Sequence, residues 1–187
     1  MEQKFEQLED NELFQLLKAE RSVAEKAFSE LYSRYAPGVF AFCRRFLGSI
    51  DEAQDIFQET FIRFHQRAKE LQELTNVQGF LYIIARNLCI NYVRSNKYSV
   101  VYEDYMNVKF ENRMESDEML NLIKSSIELL PNELKEVFIL REYNGLSYKD
   151  IADVTNCNTN TIRIRLFRAK KKLRSILAPY FADYDKT

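Results

Sequence analysis

Apolar residues recur every three or four positions along most of the 187-residue chain, which is the spacing that places them on one face of an α-helix. The sequence also contains only 4 glycines and 3 prolines, too few for a turn-rich β protein. We therefore predict an all-α fold. The clearest apolar stripe belongs to a helix predicted to start near residue 158, and it consists of Ile162, Leu166, Ala169, Leu173 and Ile176.

The periodicity divides the chain into eight predicted helices. Their predicted spans are 10–20, 22–47, 51–71, 79–97, 119–130, 132–143, 147–154 and 158–177. Ser22 and Glu25 have the spacing of a capping box at the start of the second helix, and Asp51 is predicted to cap the third. Pro37 with Gly38 predicts a bend inside the second helix, because the apolar pattern continues beyond them.

Residues 98–117 lose this periodicity and are rich in Asp, Glu and Asn. We interpret them as a linker between two small helical domains, one over residues 1–97 and one over residues 118–187. The second domain contains a tight polar turn at residues 155–157. Ser147 and Asp150 are spaced to cap the helix before this turn reciprocally. Two short helices joined in this way predict a helix-turn-helix unit.

The second helix of this unit is strongly basic away from its apolar stripe, without an acidic residue among the cations. Like charges at this spacing repel one another unless a polyanion lies alongside, so the pattern favours DNA binding over an ordinary solvated basic helix. The basic residues are Arg163, Arg165, Arg168, Lys170, Lys171, Lys172 and Arg174. The first residues of a recognition helix reach base edges, and here these are Asn158, Thr159, Asn160 and Thr161.

Two further polar faces belong to the first domain. The predicted helix 51–71 presents Asp55, Gln58, Glu59 and Arg63, which periodicity alone leaves open between a solvated face and a binding surface. The predicted helix 79–97 presents Arg86, Asn87, Asn91 and Arg94. Amides and cations on one face suit melted nucleic acid, although the aromatic residues of that helix are better explained as core.

The composition argues against several other classes of protein. The three cysteines are far apart and the single histidine, His65, has no partner at zinc-ligand spacing, so we predict neither a metal site nor a cofactor. No catalytic motif or phosphate-binding glycine loop occurs, and we predict that the protein is not an enzyme. No apolar run is long enough to span a membrane, so we expect a cytoplasmic protein without direct membrane insertion.

Three blocks of the sequence together resemble the bacterial sigma-70 family, in particular its extracytoplasmic-function (ECF) group. The first block, AQDIFQETFIRF at 53–64, is similar to the helix that binds core RNA polymerase. The second, FLYIIARNLCINYVR at 80–94, is similar to the helix that handles the −10 promoter element. The third runs from Leu130 to Arg168 and resembles the −35-binding domain. The blocks occur in the order and at the spacing of the family.

This resemblance implies a promoter-specificity subunit that acts with the RNA polymerase core and promoter DNA. Asp55, Gln58, Glu59 and Arg63 would contact the clamp helices of the β′ subunit, while the β subunit belongs to the same core. Arg86, Asn87, Asn91 and Arg94 would handle the −10 element, where a base flipped from the stack is held by the loop 69–78. Asn158, Thr159, Asn160, Thr161 and Arg163 would read the −35 element, with Arg165, Arg168 and Lys171 on its phosphates. The family also implies an anti-sigma factor as a partner.

Two other classes of protein compete with this interpretation. A two-domain helix-turn-helix regulator would bind an operator through the same C-terminal helices and would not need the polymerase core. A zinc- or nucleotide-dependent enzyme is the weaker rival, because the ligands that it requires are missing from the sequence. Binding to purified core polymerase separates the regulator from the sigma factor.

Overall fold

The computed structural model describes residues 5–97 and 115–181, and every regular element in these ranges is helical. A short 3-10 turn, Phe5–Gln7, precedes the first α-helix. The α-helices are α1 (Asp10–Leu16), α2 (Arg21–Leu47), α3 (Ile50–Glu70), α4 (Val77–Lys97), α5 (Glu115–Glu128), α6 (Asn132–Phe138), α7 (Tyr148–Thr155) and α8 (Thr159–Phe181). The predicted all-α fold is confirmed. The predicted linker lies outside the described residues as far as residue 114, and its last three residues begin α5 instead.

The first domain, α1–α4, is built on the long α2, which packs against both α3 and α4. Large side chains fill the space between these helices, and Phe14, Phe42, Phe64 and Leu81 have no exposed surface. Aromatic rings contact one another edge to face, a favoured geometry, as Phe28 does with Phe61 at 6.3 Å between centroids. The aromatic residues in this part of the sequence therefore form the core of the domain.

Two predicted helix starts in this domain were wrong. Helix α2 begins at Arg21 and its N-cap, Glu20, makes no side-chain cap bond, while Glu25 pairs with Arg21 at 2.8 Å instead of closing a capping box. Helix α3 is capped by Ser49, whose hydroxyl accepts a hydrogen bond from the Glu52 N–H at 3.5 Å. In both places a neighbouring side chain satisfied the helix terminus, and Asp51 is left in the first turn, where its charge suits the helix dipole.

Helix α2 continues through Pro37, as predicted from the pattern on both sides of it. Gly38 follows because there is no room for a side chain at this position. A Cβ atom there would lie 2.7 Å from the hydroxyl group of Tyr82 on α4. The glycine therefore lets α2 and α4 approach closely at the middle of the domain.

The second domain, α5–α8, contains the predicted helix-turn-helix unit. Ser147 and Asp150 form the reciprocal capping box at the start of α7, and Asn156 ends that helix in a left-handed conformation at φ 52°. Before this unit, α6 continues as a π-helical turn, Ile139–Tyr143, in which the Asn144 N–H donates to the Ile139 carbonyl at 3.2 Å. Ile139, Ile151 and Ile162 are fully buried and join the elements into one core.

The two domains pack against each other, mainly through α4 of the first and α7 of the second. The Asn144 side chain, which follows the π turn, donates a hydrogen bond to the Gly38 carbonyl at 3.0 Å. The guanidinium group of Arg45 lies 4.1 Å from the centroid of the Tyr143 ring. Within the described ranges, no helix has both the length and the apolar character needed to cross a bilayer.

Candidate nucleic-acid interface

Helix α8 presents its predicted base-reading residues at an exposed N-terminus. Asn158 is the residue before the helix, and its side-chain oxygen accepts hydrogen bonds from the N–H of Thr161 at 2.8 Å and from its hydroxyl at 3.0 Å. Two of the four predicted residues are therefore used in capping. Thr159 and Asn160 are exposed and have no such role among the described contacts.

The basic residues of α8 lie on different sides of the helix. Arg163, Arg168 and Lys171 are exposed. Arg165 is not: only 19% of its side chain is accessible, and it contacts Glu133 at 2.9 Å and Glu136 at 3.6 Å. The structure thus places one predicted phosphate-binding residue in a network of ion pairs inside the protein.

Two residues of the outer face of α8 were missed in the sequence. Ile164 is 45% exposed and Phe167 is 67% exposed, although both are large and apolar. With Asn160 and Lys171 they are spaced by four, three and four residues, so the four share one helix face opposite the buried stripe. The spacing was readable in the sequence, but apolar residues were assigned to the core without asking on which side of the helix they fall.

The polar face of α4 is brought together as predicted, except for one residue. Asn87, Asn91 and Arg94 are exposed along this helix. Arg86, in contrast, makes a two-pronged ion pair with Glu136 of α6, from Nε at 2.8 Å and Nη2 at 3.2 Å. Its guanidinium group is held by the second domain in this arrangement.

The predicted base-holding loop is shorter than expected. Only residues 71–76 lie between α3 and α4, because residues 69–70 complete α3 and residues 77–78 begin α4. Asn76 caps α4 by accepting a hydrogen bond from the Gly79 N–H at 2.7 Å, and it also donates to Asp150 of α7 at 3.0 Å. This loop therefore contacts the second domain as well.

The polar face of α3 is accessible to a partner. Asp55, Gln58 and Arg63 are exposed, and Glu59 pairs with Arg63 at 2.6 Å along the helix. Ile62, an apolar residue that is 51% exposed, lies beside them. It borders a groove of about 950 Å³ between α2 and α3, which is also lined by Phe28, Tyr32, Phe57 and Phe61.

The titratable groups of the domain cores are not arranged for catalysis or metal binding in the described ranges. Burial raises the pKa of Tyr82 to about 12, a shift that a hydrogen bond from Asn144 partly offsets. A hydrogen bond to Cys43, together with burial, raises the pKa of the Cys89 thiol, so both remain protonated and inert near neutral pH. Within residues 5–97 and 115–181, no three His, Cys, Asp or Glu side chains come together as a possible metal site.

The fold and these exposed faces define a two-domain helical protein with a helix-turn-helix unit. Comparison with known proteins places it more closely. The sequence matches the family Sigma-70 region 2 over residues 31–98 and the family Sigma-70, region 4 over residues 120–173. The chain belongs to the ECF group of the sigma-70 family, whose members are RNA polymerase sigma factors and act in transcription initiation without being enzymes.

Individual relatives span nearly the whole chain. The ECF RNA polymerase sigma-E factor of Haemophilus influenzae is 32% identical over 170 residues, which cover 83% of this chain and 89% of that protein. The ECF RNA polymerase sigma factor SigW of Bacillus subtilis is 29% identical over 170 residues, or 82% of this chain and 90% of that one.

Two solved structures share the fold. The sigma factor RpoE in complex with the anti-sigma factor NepR from Bartonella quintana has a TM-score of 0.67 at 23% identity, covering 82% of this chain and 98% of that one. CnrH in complex with the cytosolic domain of CnrY has a TM-score of 0.70 at 19% identity, covering 91% and 97%. The likeness extends over both domains.

Proposed function

We propose that this sigma factor directs core RNA polymerase to its promoters through three separate surfaces. The observation that supports the proposal most is that the described part of the chain presents three exposed polar faces, one on each of α3, α4 and α8. On this proposal, domain boundaries fall at residues 1–97 and 118–187, joined by residues 98–117. The extents of the two family matches support this division.

The face of α3 is the proposed contact with the polymerase core. Asp55, Gln58, Glu59 and Arg63 supply a polar rim, and Ile62 supplies an exposed apolar centre. An apolar centre within a polar rim is the usual composition of a protein–protein interface. The clamp helices of β′ are the proposed partner of this face.

The face of α8 is the proposed reader of the −35 element. Thr159, Asn160 and Arg163 are placed to reach base edges at the helix start. Asn158 and Thr161 contribute by fixing the helix terminus at the groove, and Arg168 and Lys171 bind phosphate. Ile164 and Phe167 are proposed to contact thymine methyl groups, since apolar side chains recognise this group in the major groove.

The face of α4 is the proposed contact with the −10 element. Asn87 and Asn91 offer amide donors and acceptors to an unpaired base, and Arg94 offers charge to the adjacent phosphates. Arg86 can join them only when its ion pair with Glu136 is broken. The loop 71–76 lies next to this face and is the proposed holder of a flipped base.

An anti-sigma factor is a proposed further partner. A neighbour of the same fold, RpoE, is described in complex with the anti-sigma factor NepR. The apolar groove between α2 and α3 adjoins the proposed polymerase surface, so a partner seated there would compete with the core enzyme.

Binding of purified core polymerase tests the proposal. The double variant Gln58→Lys, Glu59→Lys should lose core binding in a pull-down, while its circular dichroism spectrum and thermal midpoint stay near those of the wild type. A matched control is Arg21→Gln, which alters an exposed pair on α2 away from this face. Normal holoenzyme formation by the double variant would remove α3 from the interface.

The same experiment discriminates the rival function. A helix-turn-helix regulator would bind DNA alone and ignore core polymerase. Failure of the wild-type chain to bind core enzyme at any salt concentration, with specific duplex binding retained, would favour that regulator.

A further inference from the structure

One carboxylate, that of Glu136 on α6, lies between arginines from both domains. It accepts two hydrogen bonds from Arg86 of α4, at 2.8 and 3.2 Å, and its Oε1 lies 3.6 Å from Nη1 of Arg165 on α8. Only 3% of the Glu136 side chain and 18% of that of Arg86 are exposed. The two cations proposed above to neutralise different parts of the promoter are therefore both neutralised by the protein itself.

Other contacts between the domains are also polar. Asn76 donates to Asp150 at 3.0 Å, and Asn144 donates to the Gly38 carbonyl at 3.0 Å. The second oxygen of the Asn144 amide is buried and has no hydrogen-bond partner among the described residues. A buried acceptor without a partner loses its bonds to water, so this contact makes the packed arrangement less stable than a fully paired one. Polar interfaces of this kind are typical of domains that separate.

Separation of the domains would leave no buried charge alone. Glu136 would keep Arg165, which belongs to the same domain, and Glu133 also contacts that arginine at 2.9 Å. Arg86 would be released into solvent on the exposed face of α4, where a phosphate could replace the carboxylate. The arrangement of the three charges thus avoids the large cost of stranding one partner of a buried ion pair.

The packed arrangement cannot serve both promoter elements at once. On the proposed function, on which this inference rests, the −35 and −10 elements lie about 25 base pairs apart, or about 85 Å along the duplex. Arg86 and Arg165 each lie within hydrogen-bond or ion-pair distance of the same carboxylate. We propose that Glu136 holds a closed state of the free sigma factor, and that engagement of a promoter exchanges this carboxylate for phosphate on Arg86 and opens the two domains.

Small-angle X-ray scattering of the full chain tests the closed state without polymerase. A closed chain of this length should have a radius of gyration of about 16 Å. Arg86→Gln removes the charge between domains and leaves the Glu136–Arg165 contact in place, so its radius should rise by roughly 1.2-fold. Arg86→Lys keeps a cation and should stay near the wild-type value, as should Arg21→Gln, which alters an exposed pair within α2. An expanded wild-type chain, or an unchanged radius for Arg86→Gln, would overturn the closed state.

A reversible cross-link tests the need for opening. The double variant Asn76→Cys, Asp150→Cys joins two positions that contact each other across the domains, and a short bis-maleimide with a reducible disulfide would bridge them. The bridged chain should lose transcription from a promoter with both elements, and reduction should restore the level of the unbridged double variant. Full transcription by the bridged chain would contradict the proposal. If the unbridged double variant and the wild type both fail to bind core enzyme, the proposed function fails, whereas the scattering result still decides the closed state.

Discussion

The side-chain oxygen of Asn158 accepts two hydrogen bonds from Thr161, one from its N–H at 2.8 Å and one from its hydroxyl group at 3.0 Å. Asn158 thus caps α8 at the end proposed to enter the major groove. Replacing it with Ala should lower the free energy of unfolding by about 1 kcal/mol, because the helix loses its cap. Urea denaturation measures this loss.

A second substitution at Asn158 separates capping from DNA binding. Asn158→Asp should keep the stability of the wild type, since Asp caps equally well, but should weaken −35 duplex binding through repulsion between its charge and the phosphates. Equal duplex affinity for Asn158→Asp and the wild type would place this residue away from the DNA.

Phe167 should contribute to sequence preference through a thymine methyl group. Phe167→Ala is expected to weaken binding to a selected −35 duplex by about 1 kcal/mol, roughly fivefold in Kd. Fluorescence anisotropy measures the affinity. Replacing each thymine in turn with deoxyuridine, which lacks only the methyl group, should weaken the wild type at one position and leave Phe167→Ala unaffected there. If no position shows this difference, Phe167 does not read a methyl group.

Lys171 should act on all sequences alike. Lys171→Ala should lower the slope of log K against log salt concentration by about one, because one fewer counterion is released from the DNA. Titrations on specific and unrelated duplexes at several salt concentrations measure the slope. Lys26→Ala, on the exposed surface of α2, is the matched control and should not change it. A slope equal to that of the wild type would remove Lys171 from the phosphate contacts.

Lys135 is a buried cation whose replacement should stabilise the protein. Its residue is 8% exposed, and burial lowers the pKa of its ammonium group below the ordinary 10.5, although Glu128 partly offsets this effect. Lys135→Met should raise the free energy of unfolding at pH 7 by about 1 kcal/mol, because Met fills similar space without a charge. Lys124→Met, at an exposed site on α5, should change it little.

The pH dependence of the Lys135→Met effect follows from the direction of the pKa shift. Between the lowered folded pKa and 10.5 the unfolded wild-type chain binds more protons, so wild-type stability rises with pH across that window. The advantage of Lys135→Met should therefore be full at neutral pH and shrink as the pH approaches 10.5. Denaturation midpoints at a series of pH values measure it, and an advantage independent of pH would contradict the assigned cause.

The sequence predicted the helices well because each helix repeats a local pattern. The capping box at Ser147 and Asp150 was predicted and is present, since both partners lie within four residues of each other. The start of α2 was wrong for the opposite reason: several residues could satisfy that terminus, and Glu25 is engaged by Arg21. Local competition of this kind decides helix ends and leaves the helix itself unchanged.

The positions of the candidate site residues on their helices were also predictable, but their partners were not. Arg86 and Glu136 are 50 residues apart, and no periodicity connects them. Arg165 looked like one more cation of a basic helix until its contacts with α6 were known. Long-range ion pairs depend on how the domains pack, which the amphipathic pattern of a single helix does not encode.

The π-helical turn Ile139–Tyr143 fits one more residue into its turn than an α-helix would. Deletion of a single residue there would rotate the following residues by about 100° and would turn Tyr143 away from Arg45 and Asn144 away from Gly38. The number of residues in this short stretch, and not only their identity, therefore sets the direction in which the DNA-reading unit faces its neighbour. A homologue lacking that one residue could keep every helix of both domains and still join them in a different orientation.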